Sequence, residues 1–388
     1  MGNSNLRKAN KEKNDEFYTQ WKDIENEMNA YLEYNPDVFR DKVVLLPCDD
    51  PTWSNFTKYF ALRFDYLGLK KLISTSYAPN SNKSGQFYTP QESLFEGLEY
   101  DEETDFERGK IFILENDDKT RDGVVNIDDI QWEYLQGDGD FRSPEVTKLR
   151  DEADFVITNP PFSLFREFIE WTLEGDCQFA AIGSMNAITY KEIFPLIKEN
   201  KVWIGATATS RDMVFGVPKD FKVKESDSKK AERLGFVANE QFNYTRMGNT
   251  CWFSSIEHGK RHQPLSLMTK ADNERFNKKV TNNPHAYKTY DNYDAIEVPS
   301  TNAIPSDYTG VMGVPITFLD KYCPEQFEIL SGWNGGKDVP NPGAKTVKAT
   351  MKTGKPVNWN GPAVDKTPKY FRILIKHKNP ESSPESPS

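Results

Sequence analysis

The sequence is poor in paired cysteines and in long apolar runs, and these two gaps exclude several classes of protein. Its four cysteines are scattered without any Cys-x-x-Cys pair, so we expect neither a disulfide framework nor a zinc knuckle. No stretch approaches the roughly 20 apolar residues that cross a bilayer. The polar N-terminal segment lacks the apolar core of a signal peptide. We therefore expect a cytoplasmic protein that has no membrane partner.

Two patterns that would indicate a metal or phosphate site are incomplete. His258 and His262 have i, i+4 spacing, but their segment contains glycine and lacks the glutamate of a metalloprotease helix. The glycine-rich segment 332–343 contains a lysine but does not have the spacing of a P-loop. We predict no metal site, and we expect 332–343 to be a flexible loop that faces DNA and not a nucleotide site.

Charge is unevenly distributed along the chain. The net charge is −10, yet residues 331–379 hold 10 basic residues against 2 acidic ones, and residues 219–288 hold 14 against 8. Residues 92–154 concentrate the opposite sign, with 21 acidic residues against 7 basic ones. Neutralising phosphates requires a basic surface rather than a basic protein. The two basic regions are therefore compatible with a nucleic-acid partner, although solvated lysine faces would have the same composition.

Short apolar segments alternate with amphipathic ones over the first half of the chain. The segments typical of buried strands are 41–48, 69–77, 109–116, 153–159, 178–185 and 201–206. The segments with helical spacing are 54–68, 163–175 and 189–200. This alternation predicts right-handed βαβ units and a doubly wound, mostly parallel α/β sheet.

The alternation fails after about residue 207, and toward the C-terminus Gly, Pro, Asn and Lys become frequent. A strand is still expected at 249–258, and it could form a hairpin with 236–245. The predicted parts are a flexible N-terminus at 1–14, an α/β domain at 15–260, a loop-rich basic region at 261–375 with basic elements from about 207, and a disordered tail at 376–388.

The stretch DFVITNPPF, residues 154–162, carries the clearest chemical pattern. In an open α/β sheet, ligands bind outside the carboxyl ends of the strands, and Asn159 follows such an end. The Asn159 side-chain oxygen and the Pro160 carbonyl are two acceptors on a turn that Pro161 stiffens. They suit an exocyclic NH2 group, and the ring of Phe162 offers a face on which a base could stack. A strand followed by a simple Pro-Pro turn is the structural alternative.

A pair of acceptors of this kind suits methyl transfer to an amine. Hydrogen bonds to both N–H groups would draw the nitrogen towards a tetrahedral shape and free the lone pair, which is otherwise conjugated into the ring. Orientation and electrostatics then carry most of the catalysis, so no strong base is needed. The absence of His, Cys and Lys from the stretch agrees with such a mechanism.

The Asn-Pro-Pro-Phe motif after an apolar strand resembles the catalytic motif of S-adenosylmethionine-dependent amino-methyltransferases. The wider chain is similar to the EcoRI-type adenine-specific DNA methyltransferases from residue 14 to about 333. The segments that carry this likeness are NDEFYTQWKDIENEM, DKVVLLPCDDPTWSNFTKYFA, LGLKKLISTSY, ADFVITNPPFSLFREFIEW and VPITFLDKYCPEQFEIL. The resemblance implies a Rossmann-like methyltransferase sheet, S-adenosylmethionine as cofactor and double-stranded DNA as partner. It also implies that Asn159, Pro160, Pro161 and Phe162 form the catalytic motif.

The resemblance assigns a first group of cofactor residues near the N-terminus. Phe17, Tyr18 and Thr19 match the motif that packs around the methionine end of the cofactor. Phe87–Pro90 has a similar sequence, but the order of motifs in this family favours the first group. Asn159 is assigned to the cofactor site as well as to the catalytic motif.

A second group of cofactor residues follows the first predicted strand. Asp49, Asp50 and Pro51 match the acidic turn that the family has at this position. The turn lacks the usual Gly-x-Gly, whose glycines let the backbone approach a ligand closely. We expect Ser54, Asn55 and the helix that begins there to substitute by hydrogen bonding.

The remaining cofactor contacts are assigned to acidic turns. The segment 137–143 resembles the part that contacts the adenine ring of the cofactor, with Asp138 or Asp140 accepting from its amine and Phe141 beside the ring. A simple glycine-rich turn is the alternative. The second predicted strand lacks the usual ribose-binding acid, and the candidates for that role are Glu115, Asp117 and Asp118.

Taken with the basic C-terminal half, these assignments predict a site-specific DNA N6-adenine methyltransferase of the restriction–modification type. It would flip an adenine over Phe162 and methylate it. We expect a monomer with a companion restriction endonuclease, and the resemblance makes GAATTC the first recognition sequence to test. Two alternatives stay open: the same chemistry on cytosine N4, RNA or a protein amide, and a non-catalytic DNA-binding module on a methyltransferase fold.

Overall fold

A computed structural model of the chain describes residues 17–78, 107–115, 132–207, 213–219, 221–336 and 340–381. The predicted N-terminal segment 1–14, the alternative motif Phe87–Pro90, and Asp117 and Asp118 lie outside these ranges. The chain divides into two compact units. The first holds residues up to Ser184 and then Thr207–Glu257, and the second holds Met185–Ala206 and the chain from His258 onwards. The predicted boundary at 260 is close to Glu257, where the chain leaves the first unit for the second time. Sequence reasoning did not separate 185–206 from the first unit.

The helices and strands have the following bounds within the described ranges. The α-helices are α1 (Trp21–Tyr34), α2 (Asn55–Leu62), α3 (Phe64–Leu67), α4 (Pro144–Glu152), α5 (Phe165–Leu173), α6 (Phe194–Lys198), α7 (Glu225–Arg233), α8 (Lys270–Phe276) and α9 (Lys278–Thr281). The strands are β1 (Tyr18–Thr19), β2 (Val43–Leu46), β3 (Lys71–Thr75), β4 (Lys110–Glu115), β5 (Trp132–Tyr134), β6 (Phe155–Thr158), β7 (Gln178–Ser184), β8 (Trp203–Ile204), β9 (Met213–Pro218), β10 (Phe242–Met247), β11 (Thr250–Ser254), β12 (Thr289–Tyr290), β13 (Tyr293–Glu297), β14 (Met312–Val314), β15 (Phe327–Trp333), β16 (Val347–Thr350), β17 (Pro356–Trp359), β18 (Ala363–Val364), β19 (Thr367–Pro368) and β20 (Arg372–His377). Short 3-10 turns lie at Phe162–Leu164, Met185–Thr189, Gly259–His262, Thr301–Ala303 and Ile316–Lys321.

The central sheet of the first unit is mixed, which corrects the prediction of a mostly parallel sheet. Seven of its strands follow one another in the order β5-β4-β3-β2-β6-β7-β11. The pairs β3–β2, β2–β6 and β6–β7 are parallel, whereas β4, β5 and β11 join antiparallel. The coarser prediction of an α/β fold is confirmed. The apolar pattern of a strand carries no information on its direction, so the antiparallel pairing of β4 could not be predicted.

The four central strands are parallel because amphipathic helices connect them and cover the sheet. β2 and β6 are buried along their whole length, as expected for strands with both faces covered. α1 buries Ile24, Met28 and Tyr31, which recur on one face at helical spacing. These side chains join those of β2 and β6 in one apolar cluster.

A second, three-stranded sheet of the first unit has the order β1-β9-β10. β10 pairs with β9, and β11 pairs with β7, both antiparallel. The hairpin expected between 236–245 and 249–258 is therefore wrong, although both segments contain a strand. The two strands lie in different sheets because each is long enough to find a partner elsewhere, which periodicity alone cannot foresee.

The second unit contains more regular structure than the loop-rich region predicted from its composition. Five strands form a sheet in the order β12-β13-β14-β20-β15, and β16–β17 and β18–β19 form two separate antiparallel pairs. Trp333, Tyr290 and Leu374 are among the side chains of its apolar cluster. Lys376 and His377 belong to β20, so the predicted disordered tail begins too early; residues 382–388 lie outside the described ranges.

No helix in the described ranges is long and apolar enough to cross a membrane.

Candidate active site

The candidate site lies where the parallel strands of the first unit end. Because β3, β2, β6 and β7 run in one direction, their carboxyl ends share one edge of the sheet. Asp49 follows β2, Ser76 follows β3, and Asn159 follows β6. This edge is where open α/β sheets bind their ligands. The acidic turn and the Asn-Pro-Pro-Phe stretch, which are 110 residues apart in sequence, therefore meet at the same edge.

Asn159 is held in one orientation by the N-terminal segment. Its side-chain Nδ2 donates a hydrogen bond of 2.7 Å to the carbonyl oxygen of Phe17. Its Oδ1 is buried and has no hydrogen-bond partner among the described residues. Because only the NH2 group can donate to the Phe17 carbonyl, this bond fixes which end of the amide is the acceptor. A buried acceptor without a partner is costly in a folded protein, so its presence here points to a ligand.

The two prolines terminate β6 and begin a 3-10 turn. Pro160 is buried, and the Pro161 carbonyl accepts a hydrogen bond of 2.9 Å from the backbone N–H of Leu164. This bond closes the turn that contains Phe162. The rings of Phe162 and Phe17 are stacked, with centroids 5.4 Å apart and planes inclined by 27°. One face of Phe162 is therefore already covered by an aromatic ring.

The segment Phe17, Tyr18, Thr19 is fastened to the edge of the sheet by two side-chain amides. Asn159 binds the Phe17 carbonyl, and the Asn55 Nδ2 donates a hydrogen bond of 2.8 Å to the Thr19 carbonyl. β1 also pairs with β9, so the segment is bound along its backbone as well. Asn55 had been assigned to the cofactor; its Nδ2 instead holds this segment. The Thr19 Oγ1 is a second buried atom at this edge that has no hydrogen-bond partner among the described residues.

Asp49 is a buried carboxylate that two hydroxyl groups hold. Its Oδ1 accepts a hydrogen bond of 2.7 Å from Ser54 Oγ, and its Oδ2 accepts one from Thr158 Oγ1. Burial raises the pKa of Asp49 to about 7, against the lowering effect of the two hydroxyl groups, and the nearby carboxyl of Asp50 raises it further. The carboxyl group is thus poised to change protonation near neutral pH.

The glycine-free turn after β2 is closed by hydrogen bonds of Asp50. The Asp50 Oδ1 accepts a hydrogen bond of 2.8 Å from the Thr52 backbone N–H and also accepts from the Thr52 hydroxyl. The Asp50 carbonyl accepts from the backbone N–H of Ser54 at 2.9 Å. Ser54 in turn caps α2, accepting from the Phe56 N–H at 3.0 Å. Side-chain and backbone hydrogen bonds thus hold the shape of this glycine-free turn, and Pro51 lies buried within it.

Two of the three residues assigned to the adenine ring of the cofactor have other partners. The carboxylate of Asp140 forms a two-point ion pair with Arg142, with distances of 2.9 and 2.6 Å. Phe141 is buried and packs edge-on against Phe168 and Trp171, so it is a core residue and not a ring face open to a ligand. Asp138 is exposed, and its Oδ1 accepts from the Asp140 backbone N–H at 3.1 Å.

Glu115 lies at the wrong edge of the sheet to hold a ribose at this site. β4 runs antiparallel to β3, so Glu115 pairs with Lys71 at the start of β3 and not with its end. Its carboxylate forms an ion pair of 2.8 Å with the Lys71 ammonium. The end of β3 is covered instead by the turn at Gly139, where an added Cβ would lie 2.0 Å from the Ser76 carbonyl oxygen.

Sequence reasoning missed several side chains that complete the site. Thr158, the last residue of β6, binds Asp49, and its position directly before Asn159 was a signal that could have been used. Trp53 packs edge-on against Tyr18 at 4.4 Å, and Phe215 packs edge-on against Phe17 at 5.7 Å. Phe215 had no sequence signal, because it lies on β9, beyond the predicted sheet. Within the described part of the chain, no group of three or more His, Cys, Asp or Glu side chains is placed to hold a metal ion.

The chain was compared with known proteins. Residues 5–378 match the family model described as "Adenine-specific methyltransferase EcoRI". The chain is 41% identical to "Type II methyltransferase M.EcoRI" of Escherichia coli over 97% of each chain. It is 33% identical to "Type II methyltransferase M.MpnI" of Mycoplasma pneumoniae, over 96% of this chain and 97% of the relative. It is 32% identical to "Type II methyltransferase M.MgeORF184P" of Mycoplasma genitalium, over 95% of this chain and 97% of the relative. No solved structure matches.

Proposed function

Because the chain belongs to the family of the adenine-specific methyltransferase EcoRI and is a DNA methyltransferase of the type II restriction–modification kind, we propose that it methylates N6 of an adenine flipped out of duplex DNA. We propose S-adenosylmethionine as the methyl donor. The observation that carries the proposal is the orientation of Asn159, whose Nδ2 is bound to Phe17 and whose Oδ1 is buried without a partner. An adenine N6 amine is a donor that fits this acceptor.

The acceptor pair would act on the geometry of the amine. Asn159 Oδ1 and the Pro160 carbonyl each accept one N–H of the adenine NH2 group. The nitrogen would then lose conjugation with the ring, and its lone pair could form a bond to the methyl carbon as the bond from that carbon to sulfur breaks. A neutral thioether would leave, and the methylated nitrogen would release one of its protons. The bond between Asn159 and Phe17 matters because an amide that could rotate would present a donor and an acceptor equally well. Orientation of this kind lowers the barrier without a strong base.

Phe162 would support the flipped base. Base–aromatic stacking contributes roughly 1–3 kcal/mol per base. Phe17 already covers one face of Phe162, so an adenine would stack on the opposite face. The covered face would become available only if Phe17 moved away. The cost of extruding the base, a few kcal/mol, would be offset in part by this contact.

The residues at the edge of the sheet fit a methyl donor of the proposed class. Thr19 Oγ1 is buried there and has no hydrogen-bond partner among the described residues, and the carboxylates of Asp49 and Asp50 lie on the turn after β2. When bound, S-adenosylmethionine supplies an electrophilic methyl group on a sulfonium. The Phe17–Thr19 segment and Asp50 would hold its amino-acid end, and Asp49 would fix the turn through Ser54 and Thr158.

The identity of the group that receives the methyl label distinguishes this proposal from the open alternatives. Cytosine N4, RNA bases and protein amides present the same NH2 chemistry, and a non-catalytic binding module would transfer no methyl group at all. Purified protein is incubated with labelled S-adenosylmethionine and, separately, duplex DNA carrying GAATTC and other sequences, RNA, and protein. We expect label on adenine N6 of duplex DNA. Label only in RNA, protein or cytosine would contradict the proposal, and so would a protein that binds no S-adenosylmethionine.

The role of Asn159 is tested by substitution. Asn159→Ala removes the acceptor and should abolish methylation of DNA while the protein still folds and binds DNA. Asn35→Ala, at the end of α1, is the matched control and should leave methylation unchanged. Normal methylation by Asn159→Ala would refute the assignment.

We also propose that the enzyme acts as a monomer in the cytoplasm, alongside an endonuclease of the same specificity. The support for the nuclease partner is the "Type II methyltransferase" name shared by the relatives. Analytical ultracentrifugation with and without duplex DNA tests the monomer, and a dimer in both conditions would contradict it.

A further inference from the structure

The second unit carries an exposed β-hairpin that the candidate active site does not use. We call residues 345–359 the basic hairpin. β16 and β17 pair antiparallel with Lys348 opposite Asn358 and Thr350 opposite Pro356. The turn between them closes through hydrogen bonds of 2.9 Å from the Met351 N–H to the Lys355 carbonyl and 2.8 Å from the Gly354 N–H to the Met351 carbonyl. All residues from 350 to 356 are exposed.

The two faces of the basic hairpin differ in chemistry. Directly opposed residues of an antiparallel pair place their side chains on the same face. Val347, Ala349, Val357 and Trp359 lie on one face and are at least partly buried. The Trp359 Nε1 donates to the Pro362 carbonyl at 3.0 Å, and the Thr350 backbone N–H donates to the Lys366 carbonyl at 2.8 Å, so the hairpin is tied to the segment that follows it.

The outward face and the tip of the basic hairpin carry cations and amide or hydroxyl groups. Lys348, Thr350 and Asn358 are exposed on the outward face, and Lys352 and Lys355 are exposed at the tip. Residues 340–360 contain four lysines and no Asp or Glu. Within the described ranges, none of these lysines has a carboxylate partner, whereas Lys288 of the same unit is paired with Asp365 at 2.7 Å.

We propose that the basic hairpin enters the major groove of the DNA substrate, with Lys352 and Lys355 on phosphates and the outward face against base edges. The inference rests on the proposed function, because it names the DNA contact of the same enzyme. Paired strands lie about 4.8 Å apart, so with side chains the ribbon matches a groove about 12 Å wide. Asn and Lys on such a ribbon read adenine and guanine edges respectively.

The anchored apolar face and the partnerless lysines distinguish this ribbon from a solvated surface. A hairpin that is free in solution would lose conformational entropy on binding, whereas one tied to the following segment through Thr350 and Trp359 has already been ordered on folding. Because these lysines have no carboxylate partner in the described ranges, they can bind phosphates without first breaking an ion pair.

The phosphate role predicts a change in salt dependence. Lys352→Ala/Lys355→Ala should weaken binding of the full protein to all duplex sequences and make the slope of log K against log salt shallower by about 2. Lys278→Ala/Lys279→Ala removes the same charge from exposed lysines of the same unit and should change the slope less. Equal changes in the two double variants would overturn the inference, because then only net charge matters.

The reading role predicts a change in specificity. Asn358→Ala should lower the binding preference for the recognition sequence, relative to sequences with one altered base, by roughly 5- to 150-fold. Binding to unrelated duplex DNA should stay constant. Asn282→Ala, an exposed asparagine of the same unit, is the control and should leave the preference unchanged. Unaltered specificity and salt slope in all hairpin variants would overturn the inference while leaving the proposed methyltransferase function intact. A wild-type protein that neither binds nor methylates duplex DNA would overturn both.

Discussion

At the scale of single residues, the site depends on side chains that constrain one another rather than on an isolated catalytic group. Asn159 acquires its orientation from the Phe17 carbonyl, and Asp49 is held by hydroxyl groups of Ser54 and Thr158. The Asn-Pro-Pro-Phe pattern located the first of these pairs at a strand end. The partners could not be predicted, because a carbonyl 142 residues away leaves no local trace in the sequence.

Asp49 makes the stability of the first unit sensitive to pH. Its pKa is raised to about 7 in the folded protein, above the ordinary value of 3.8, so the folded state binds the proton more tightly than the unfolded state. Stability from this group is therefore full below about pH 4 and is lost as pH rises towards 7. The free energy of unfolding, measured in urea at pH 4.5, 6 and 7.5, should fall with pH more steeply in the wild type than in Asp49→Asn.

The difference between the two proteins isolates this carboxyl, because other titrating groups are common to both. A Ser54→Ala variant serves as a control: it removes one hydrogen bond to Asp49 and the helix cap, costing about 1 kcal/mol, but keeps the carboxyl. Because the Ser54 hydroxyl lowers the pKa of Asp49, the stability of this variant should depend on pH at least as steeply as that of the wild type. Parallel pH profiles for the wild type and Asp49→Asn would contradict the raised pKa.

Phe162 gives a second prediction at this scale. Phe162→Ala removes the proposed stacking surface and should lower kcat/KM for DNA by roughly 5- to 150-fold, as expected for the loss of about 1–3 kcal/mol of stacking. Phe162→Tyr keeps a flat ring and should retain most of the activity. Because Phe162 also packs on the apolar cluster, the thermal unfolding of both variants is measured alongside. Full activity in the alanine variant would show that the ring has only a packing role.

At the scale of elements, local patterns predicted the central parallel strands well. The segments 41–48, 69–77, 153–159 and 178–185 each contain a strand, because buried parallel strands are continuous apolar runs. Strand direction and partner choice were not predictable from the same information. β4 pairs antiparallel with β3, and β11 pairs with β7, and these partners are chosen by contacts between strands that local patterns do not encode.

The short strands of the second unit escaped prediction for a different reason. β18 and β19 have two residues each, and their segment is rich in Pro, Gly and Lys. Such a composition is typical of loops, and only the pairing with neighbouring chain makes it a strand. Composition could therefore not show that lysines of this segment stand on a paired hairpin.

The turn at Gly139 gives a prediction for an element. A Cβ at this position would lie 2.0 Å from the Ser76 carbonyl oxygen, which is backbone and cannot move aside easily, and φ is +77°. Gly139→Ala should therefore detach the turn from the end of β3 and lower the free energy of unfolding by about 1–3 kcal/mol beyond the cost of the left-handed conformation. The measurement is urea unfolding followed by circular dichroism.

Gly235→Ala is the matched control for that experiment. Gly235 lies in the same unit with φ +93° and has nothing within 4 Å of an added Cβ, so only the conformational cost of about 1–2 kcal/mol applies. Equal destabilisation by the two substitutions would mean that the contact with Ser76 does not matter.

At the scale of the whole molecule, the protein must bind a polyanion while carrying a net charge of −10. Segregation of charge resolves this, since residues 331–379 hold 10 basic residues against 2 acidic ones. The interaction with DNA should accordingly be set by a basic surface and counterion release, with the acidic remainder adding repulsion that is screened as salt rises.

Salt dependence measures the balance between these two effects. A protein with six phosphate contacts loses about 10³ in affinity between 50 and 200 mM salt, and we expect a loss of this order for duplex DNA despite the acidic isoelectric point. Binding of S-adenosylmethionine, measured by calorimetry over the same salt range, should change little, because the proposed methyl donor carries no phosphate and its binding releases few counterions. If DNA affinity were as insensitive to salt as donor affinity, the basic regions would not be the DNA surface, and sequence recognition would have to be sought on the first unit.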